Sequence, residues 1–338
     1  MEAATPKDVL EAARDVMTAG YYQLDVLPFP EYSTVASTVD RSSGLPAVTS
    51  TPDLAFPAIE EATLRNGMKV VLAERHTVPL VELAVQFDAG YAADSVEGGK
   101  LGASSFAASM LDEGTQRRSA SEIAEELDSL GATLSAGANL DVNSVSMSAL
   151  KDNLKPSLDI LADVIRNPAF EQSEIDKLRG RWLAGIEQEK ANPIQLALRL
   201  LPPEIYGEGH AYAAPLTGSG TVQSINSLTR ADLEGFHKKW MRPDNATIFV
   251  VGDTTMDEIK PLLEAAFSRW SAPSSPLPQK NVAAVERPAR GKVILVDKPG
   301  SPQSLILAAH VAPPSNAPDE IAISAMNDIL GGQFSARV

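Results

Sequence analysis

Leu101–Thr115 reads LGASSFAASMLDEGT. The run Gly98–Asp112 reads as a helix. Ser105 and Ser109 lie four residues apart in it, so they share one helix face. Met110 and Leu111 read as core packing. Two hydroxyls at that spacing raise the question of a serine nucleophile, but the sequence places no base beside them. A neutral hydroxyl is also a poor ligand for a catalytic metal, which needs three N, O or S donors and an open position.

Working outward, Ala62–Glu74 (ATLRNGMKVVLAE) has a hairpin pattern around Asn66-Gly67. Val78–Tyr91 is a strand, with Val81, Leu83, Val85 and Phe87 alternating. Ser121–Leu130 is a helix capped by Ser119 or Ser121. Ala132–Ala138 and Asn143–Ala149 pair as strands. Leu154–Ile165 and Ser173–Lys190 are helices, separated at Asn167-Pro168. Thr229 caps a helix to Trp240, Ala246–Gly252 is a buried β-branched strand, and Met256–Trp270 is a helix. This order predicts an α+β fold with helices on one face of an antiparallel-rich sheet.

The flanks read differently. Pro6–Thr18 is a short amphipathic helix with Val9, Leu10, Ala13, Val16 and Met17 on one face, and Tyr21–Leu27 alternates like a strand. Alone they bury too little to fold. Glu31–Pro57 and Ser271–Arg287 are Ser/Pro-rich and read as linkers. An internal repeat follows: Gly67–Glu74 resembles Gly291–Asp297, each with a proline-containing turn, a strand (Val81–Phe87 or Ser304–Val311) and a helix from Gly98 or Asp319.

Net charge is −15, from 29 basic and 44 acidic side chains, which argues against a nucleic-acid partner. There is no cysteine, so disulfides and thiolate metal sites are excluded. That composition suits an exported, periplasmic or secreted bacterial protein and leaves a cytoplasmic one open. No segment has the apolar length of a membrane span. No signal peptide opens the chain, and its first residues read as the interior of a longer protein. The four histidines (His76, His210, His237, His310) are scattered, with no two at ligand spacing.

The stretch Leu101–Thr115 resembles the zinc helix of the M16 (insulinase, pitrilysin-like) metallopeptidases, where a run like GLAHFLEHMLFKGT carries H-x-x-E-H. Thr229–Gly252 (TRADLEGFHKKWMRPDNATIFVVGD) matches a second family pattern, and Asn192-Pro193 and Gly209-His210 before Gly218 fit it too. The resemblance spans Leu54–Val338. It implies a LuxS/MPP-like metallohydrolase domain in tandem copies. The expected division is 1–30, tail of an upstream domain; 31–55, linker; 56–270, an inactive M16-like α+β domain; 271–289, linker; and 290–338, a second copy cut short.

The resemblance also implies a site without its chemistry. The two zinc histidines fall at Ser105 and Ser109, and the catalytic glutamate at Ala108. The third ligand falls at Gly185, or Ile186 if the register slips by one; Glu187 and Glu189 follow that position. The Asn-Ala pair that grips substrate backbone falls at Ser135 and Ala136. No catalytic residue, metal ligand or cofactor is therefore expected in this chain, with zinc expected in a catalytic partner half. The implied role is a pseudo-peptidase half of a zinc metalloendopeptidase, enclosing peptide substrate with a zinc-bearing half in the same polypeptide or a neighbouring gene. The alternative is a scaffold or protein-interaction subunit with no link to proteolysis. An intact H-x-x-E-H half encoded beside the chain distinguishes the two.

Overall fold

The computed structural model describes residues 5–18, 20, 25, 56–96, 98–286, 290–301 and 303–332. It divides into two units, Met1–Ala55 and Phe56–Val338. In the first, α1 (Pro6–Met17) starts at Thr5, whose hydroxyl accepts from the Asp8 N–H while the Asp8 carboxylate accepts from the Thr5 N–H. None of its residues is buried. The strand expected at Tyr21–Leu27 and the linker at 31–55 lie, Asp25 apart, outside the described residues.

The second unit is built on six strands: β1 (Ile59–Thr63), β2 (Lys69–Glu74), β3 (Leu80–Phe87), β4 (Thr133–Ala138), β5 (Asn143–Leu150) and β6 (Ala246–Gly252). Their spatial order is β1-β2-β6-β3-β5-β4. Every pairing is antiparallel except β2 with β6. The sheet is therefore mixed and mostly antiparallel. Gly67, at φ 96°, makes the tight turn from β1 to β2 that only glycine accommodates cheaply.

Alternation along the strands sends Val70, Leu72, Val81, Leu83, Val85, Phe87, Val145, Met147, Ile248 and Val250 into one buried layer. Each such side chain contributes about 1.5–3 kcal/mol by leaving water. The covering layer includes α3 (Ala120–Leu130), α4 (Leu154–Arg166), α8 (Arg230–Trp240) and α9 (Met256–Phe267), which supply Ile123, Leu158, Leu161, Phe236 and Leu263 to the same core. On the opposite face of β6, Phe249 and Val251 remain exposed.

Several expectations are corrected. The helix predicted over Gly98–Asp112 is only α2 (Ala103–Ala108). Gly102 is left-handed at φ 88° and blocks an earlier start, while Met110 and Leu111 make tighter i→i−3 bonds that end it. A helix at Pro193–Tyr206 (α6) directly follows α5 (Gln172–Ala191), where the sequence offered only an Asn-Pro motif. Residues 271–286, the described part of the segment expected as the 271–289 linker, bond to the sheet domain without bearing on that expectation: Arg242 donates to the carbonyls of Pro273 and Ser275, Lys280 pairs with Asp88, and the Ala211 N–H donates to Asn281. The strands expected at Gly291–Asp297 and Ser304–Val311 are extended but join no ladder among the described residues. Val293, Leu295 and Ile306 are 96%, 92% and 90% exposed there. A hairpin without a third strand or a covering helix has too little burial to hold itself. The helix expected from Asp319 does form, as α10 (Glu320–Asn327).

Candidate functional site

The stretch that decides the fold also centres the site. Within α2 only Ser105 is less than fully buried, and Ser109, at its C-cap, is likewise half-buried; Ala103, Ser104, Phe106, Ala107 and Ala108 are closed off. The two serines are thus the half-buried positions of this stretch and share one helix face, as their spacing predicts. Ala108 is buried at 1% exposure, so its position faces protein rather than water.

Two elements flank that face. Helix α5 reaches it through Trp182, whose ring lies 5.3 Å from Phe106, and through Arg181, which pairs with Glu113 at 3.1 Å. Gly185 sits one turn beyond Trp182, and a Cβ there would meet nothing within 4 Å. Ile186 is fully buried in the core. Of the two registers left open by the sequence, Gly185 is the one that looks into open space. Strand β4 is the second element, and α2 packs against it. Among the described residues it pairs only with β5 and ends the sheet. Ser135 is exposed on it, and Ala136 packs against the core.

The N-terminus of α2 is held by a buried carboxylate from the preceding 3-10 turn. The carboxylate of Asp94 accepts the N–H of Gly102 at 2.7 Å and of Ser104 at 2.9 Å. It is almost wholly buried, and that burial pushes its pKa up to about 8 despite both donors. Beneath it Ser104 and Asn143 both donate to the Ala89 carbonyl, while Asn143 Oδ1 is buried without a partner. Asp94 lies eight positions before Gly102, outside any short-range capping spacing, so no local signal marks it.

At the other end of the stretch, Thr115 donates to the buried carboxylate of Asp163 at 2.8 Å. Arg118 pairs with that carboxylate at 2.8 Å and with Asp159 and Glu126. Burial works against the Asp163 charge, but donors from Asn167, Thr115 and Arg118 outweigh it and hold the pKa below the ordinary carboxylate value.

The model of the family "Insulinase (Peptidase family M16)" matches residues 69–218, and that of the "Peptidase M16 inactive domain" matches 227–338. The chain belongs to the M16 peptidase family. It is 25% identical to a probable mitochondrial-processing peptidase subunit beta of Arabidopsis thaliana, over 82% of this chain and 51% of that protein. It is 25% identical to an uncharacterized zinc protease of Mycobacterium leprae, over 82% of this chain and 61% of that one. A solved M16 inactive domain from Pseudomonas fluorescens superposes with a TM-score of 0.60 at 28% identity, covering 68% of this chain and 54% of that one. The chain thus spans about half to three fifths of the length of these M16 relatives.

The family name implies zinc, and the residues here do not fit it. Positions 105, 108, 109 and 185 offer two neutral hydroxyls, a methyl and no side chain. The nearby carboxylate of Glu189 is taken by Arg199 at 2.6 Å and Ser219 at 2.8 Å. The histidines are engaged elsewhere: His76 with Asp253 and Glu74, His210 with the Ala283 carbonyl, His237 with the Ile165 carbonyl. Among the described residues no three His, Cys, Asp or Glu side chains converge for a metal.

Proposed function

We propose that this chain is the non-catalytic half of an M16 zinc metalloprotease, which encloses peptide substrate together with a zinc-bearing half. The observation that carries the reading is a contrast between α2 and the strand it packs against. Positions 105, 109 and 185 carry Ser, Ser and Gly, none a ligand suited to a catalytic zinc, while β4 has no strand on its outer edge among the described residues. An edge strand can take an extended peptide through main-chain hydrogen bonds, which tolerate the loss of an Asn at Ser135. Ser135 and Ala136 are the contacts assigned to such a peptide. In the same reading, residues from 290 onward correspond to a second copy of the LuxS/MPP-like domain.

The reading is tested by expressing the chain with an M16 half that has an intact H-x-x-E-H, encoded in the same polypeptide or a neighbouring gene. A stable complex that cleaves unstructured peptides faster than the zinc-bearing half alone is expected. The chain by itself should carry well under one zinc and cleave nothing. Absence of a complex, with unchanged cleavage, would instead favour a scaffold role unrelated to proteolysis.

A further inference from the structure

The loop Leu216–Thr221 lies directly on the first vestigial ligand position. A Cβ added to Gly218 would stand 2.9 Å from Ser105 Oγ and 2.7 Å from the ring of Tyr91, so nothing larger than hydrogen fits between loop and helix. The neighbouring glycines are as tight. A Cβ on Gly102 would be 3.0 Å from the Ser219 carbonyl, and one on Gly220 would strike the Leu101 carbonyl.

The loop is fixed from every side. Tyr91 donates its hydroxyl to the Leu216 carbonyl at 2.9 Å, and the Trp182 indole N–H donates to the Ser219 carbonyl at 2.9 Å. Arg199, from α6, gathers the rest. Its guanidinium donates to Ser219 Oγ at 2.6 Å, to Thr217 Oγ1 at 3.3 Å and to the Gly220 carbonyl, and pairs with Glu189 of α5. That side chain is 8% exposed, and a guanidinium satisfied by a carboxylate, two hydroxyls and a carbonyl is a rigid tie.

We infer that Arg199 is a latch that holds Leu216–Thr221 as a plug over Ser105, so that the loss of the metal site is enforced by packing as well as by missing ligands. A histidine at 105 places its Cγ where Ser105 Oγ now sits, and its ring must extend into the space the loop fills. The inference rests on Ser105 marking the first ligand position. It does not depend on the proposed partner half.

The test uses the full chain and zinc alone as probe. The first variant restores the ligand set, S105H/A108E/S109H/G185E; the second adds R199A; the third carries R199A in the unaltered background. The first variant is expected to bind far less than one zinc, the second about one per chain, and the third none. One tightly held zinc in the first variant would overturn the plug. Failure of the second, although folded by circular dichroism, would overturn the assignment of Ser105 as a ligand position. Amide exchange reads the latch without metal. R199A should speed exchange at Gly218–Gly220 by about tenfold or more while α4 and β3 stay protected. Unchanged exchange would overturn the latch, and T217A/S219A, which trims only the loop side, repeats the measurement should R199A unfold.

Discussion

The end and the middle of Leu101–Thr115 are built differently. Its final residue, Thr115, anchors a buried ionic cluster through Asp163 and Arg118, and its Gly114 turns the chain at φ 129°. Its middle, Ser105 to Ser109, carries only small side chains and Phe106, with Ser105 and Ser109 half-buried. One part is thus tied into the fold by side-chain bonds, and the other offers few such ties. Substitutions at the tied end should therefore be costly, and those at Ser105 and Ser109 cheap.

The largest effect is expected from Arg118→Ala. It leaves the Asp163 carboxylate, 1% exposed, with only the longer 3.9 Å contact to Arg117 as a cation, and loss of one partner of a buried pair costs up to about 3–5 kcal/mol. Denaturant unfolding measures it, and a loss below about 1 kcal/mol would show that the cluster is not what holds this end. Because the Asp163 pKa lies below its ordinary value when folded, its contribution is present above the unfolded pKa and fades as pH drops through the folded one, in the acid range below about 4.

Next comes Asp94, the buried cap on α2. Asp94→Ala removes the acceptor for two N–H groups, with an expected cost of about 1–3 kcal/mol. Its titration has the opposite sign to Asp163. The folded pKa of about 8 lies above the unfolded 3.8, so the folded state holds the proton longer. The contribution of Asp94 is complete at the acid end and is lost as pH rises from about 4 through about 8. Asp94→Asn, neutral throughout, should flatten that slope when unfolding free energy is followed across the same window. An unchanged slope would mean the carboxylate is ionised in the fold, held so by its two donors.

The smallest effect belongs to Ser109→Ala. The residue is half-buried and its hydroxyl makes no hydrogen bond among the described residues, so a change within about 0.5 kcal/mol is expected in the same unfolding measurement. A cost comparable to that of Arg118→Ala would erase the distinction between the two regions.

Much of the architecture could be read from residue patterns, because alternation and capping are local. Val81, Leu83, Val85 and Phe87 lie on the core face as their period-2 spacing dictates, and Ser119 and Thr229 both close capping boxes. Helix α6 escaped notice although Asn192 accepts from two N–H groups and Pro193 sits at its first position, the standard opening of a helix. Pro202 and Pro203 inside it masked the signal. The repeat at Gly291–Val311 shows the reverse error. Its pattern matches that of β2 and β3, but β2 and β3 are held by β6 between them, and pattern does not supply a partner. In the site, the face shared by Ser105 and Ser109 was legible from their spacing. Asp94, Tyr91 and the Arg199 latch were not, since each acts across a gap in sequence that no local rule spans.

The position of β6 carries a consequence for how the protein is made. Val70 pairs with Ile248 and Phe87 with Ala246, so the strand that joins the two halves of the sheet is the last to leave the ribosome. Closing so long a loop adds little to the equilibrium cost, about 0.6 kcal/mol per doubling of length, but it delays the rewarding contacts. Until Gly252 has emerged, β2 and β3 each present the edge that β6 later takes. During synthesis the nascent chain is thus a pair of open β-templates awaiting their central strand, and this interval, more than any weakness of the finished fold, is when it is most exposed to aggregation.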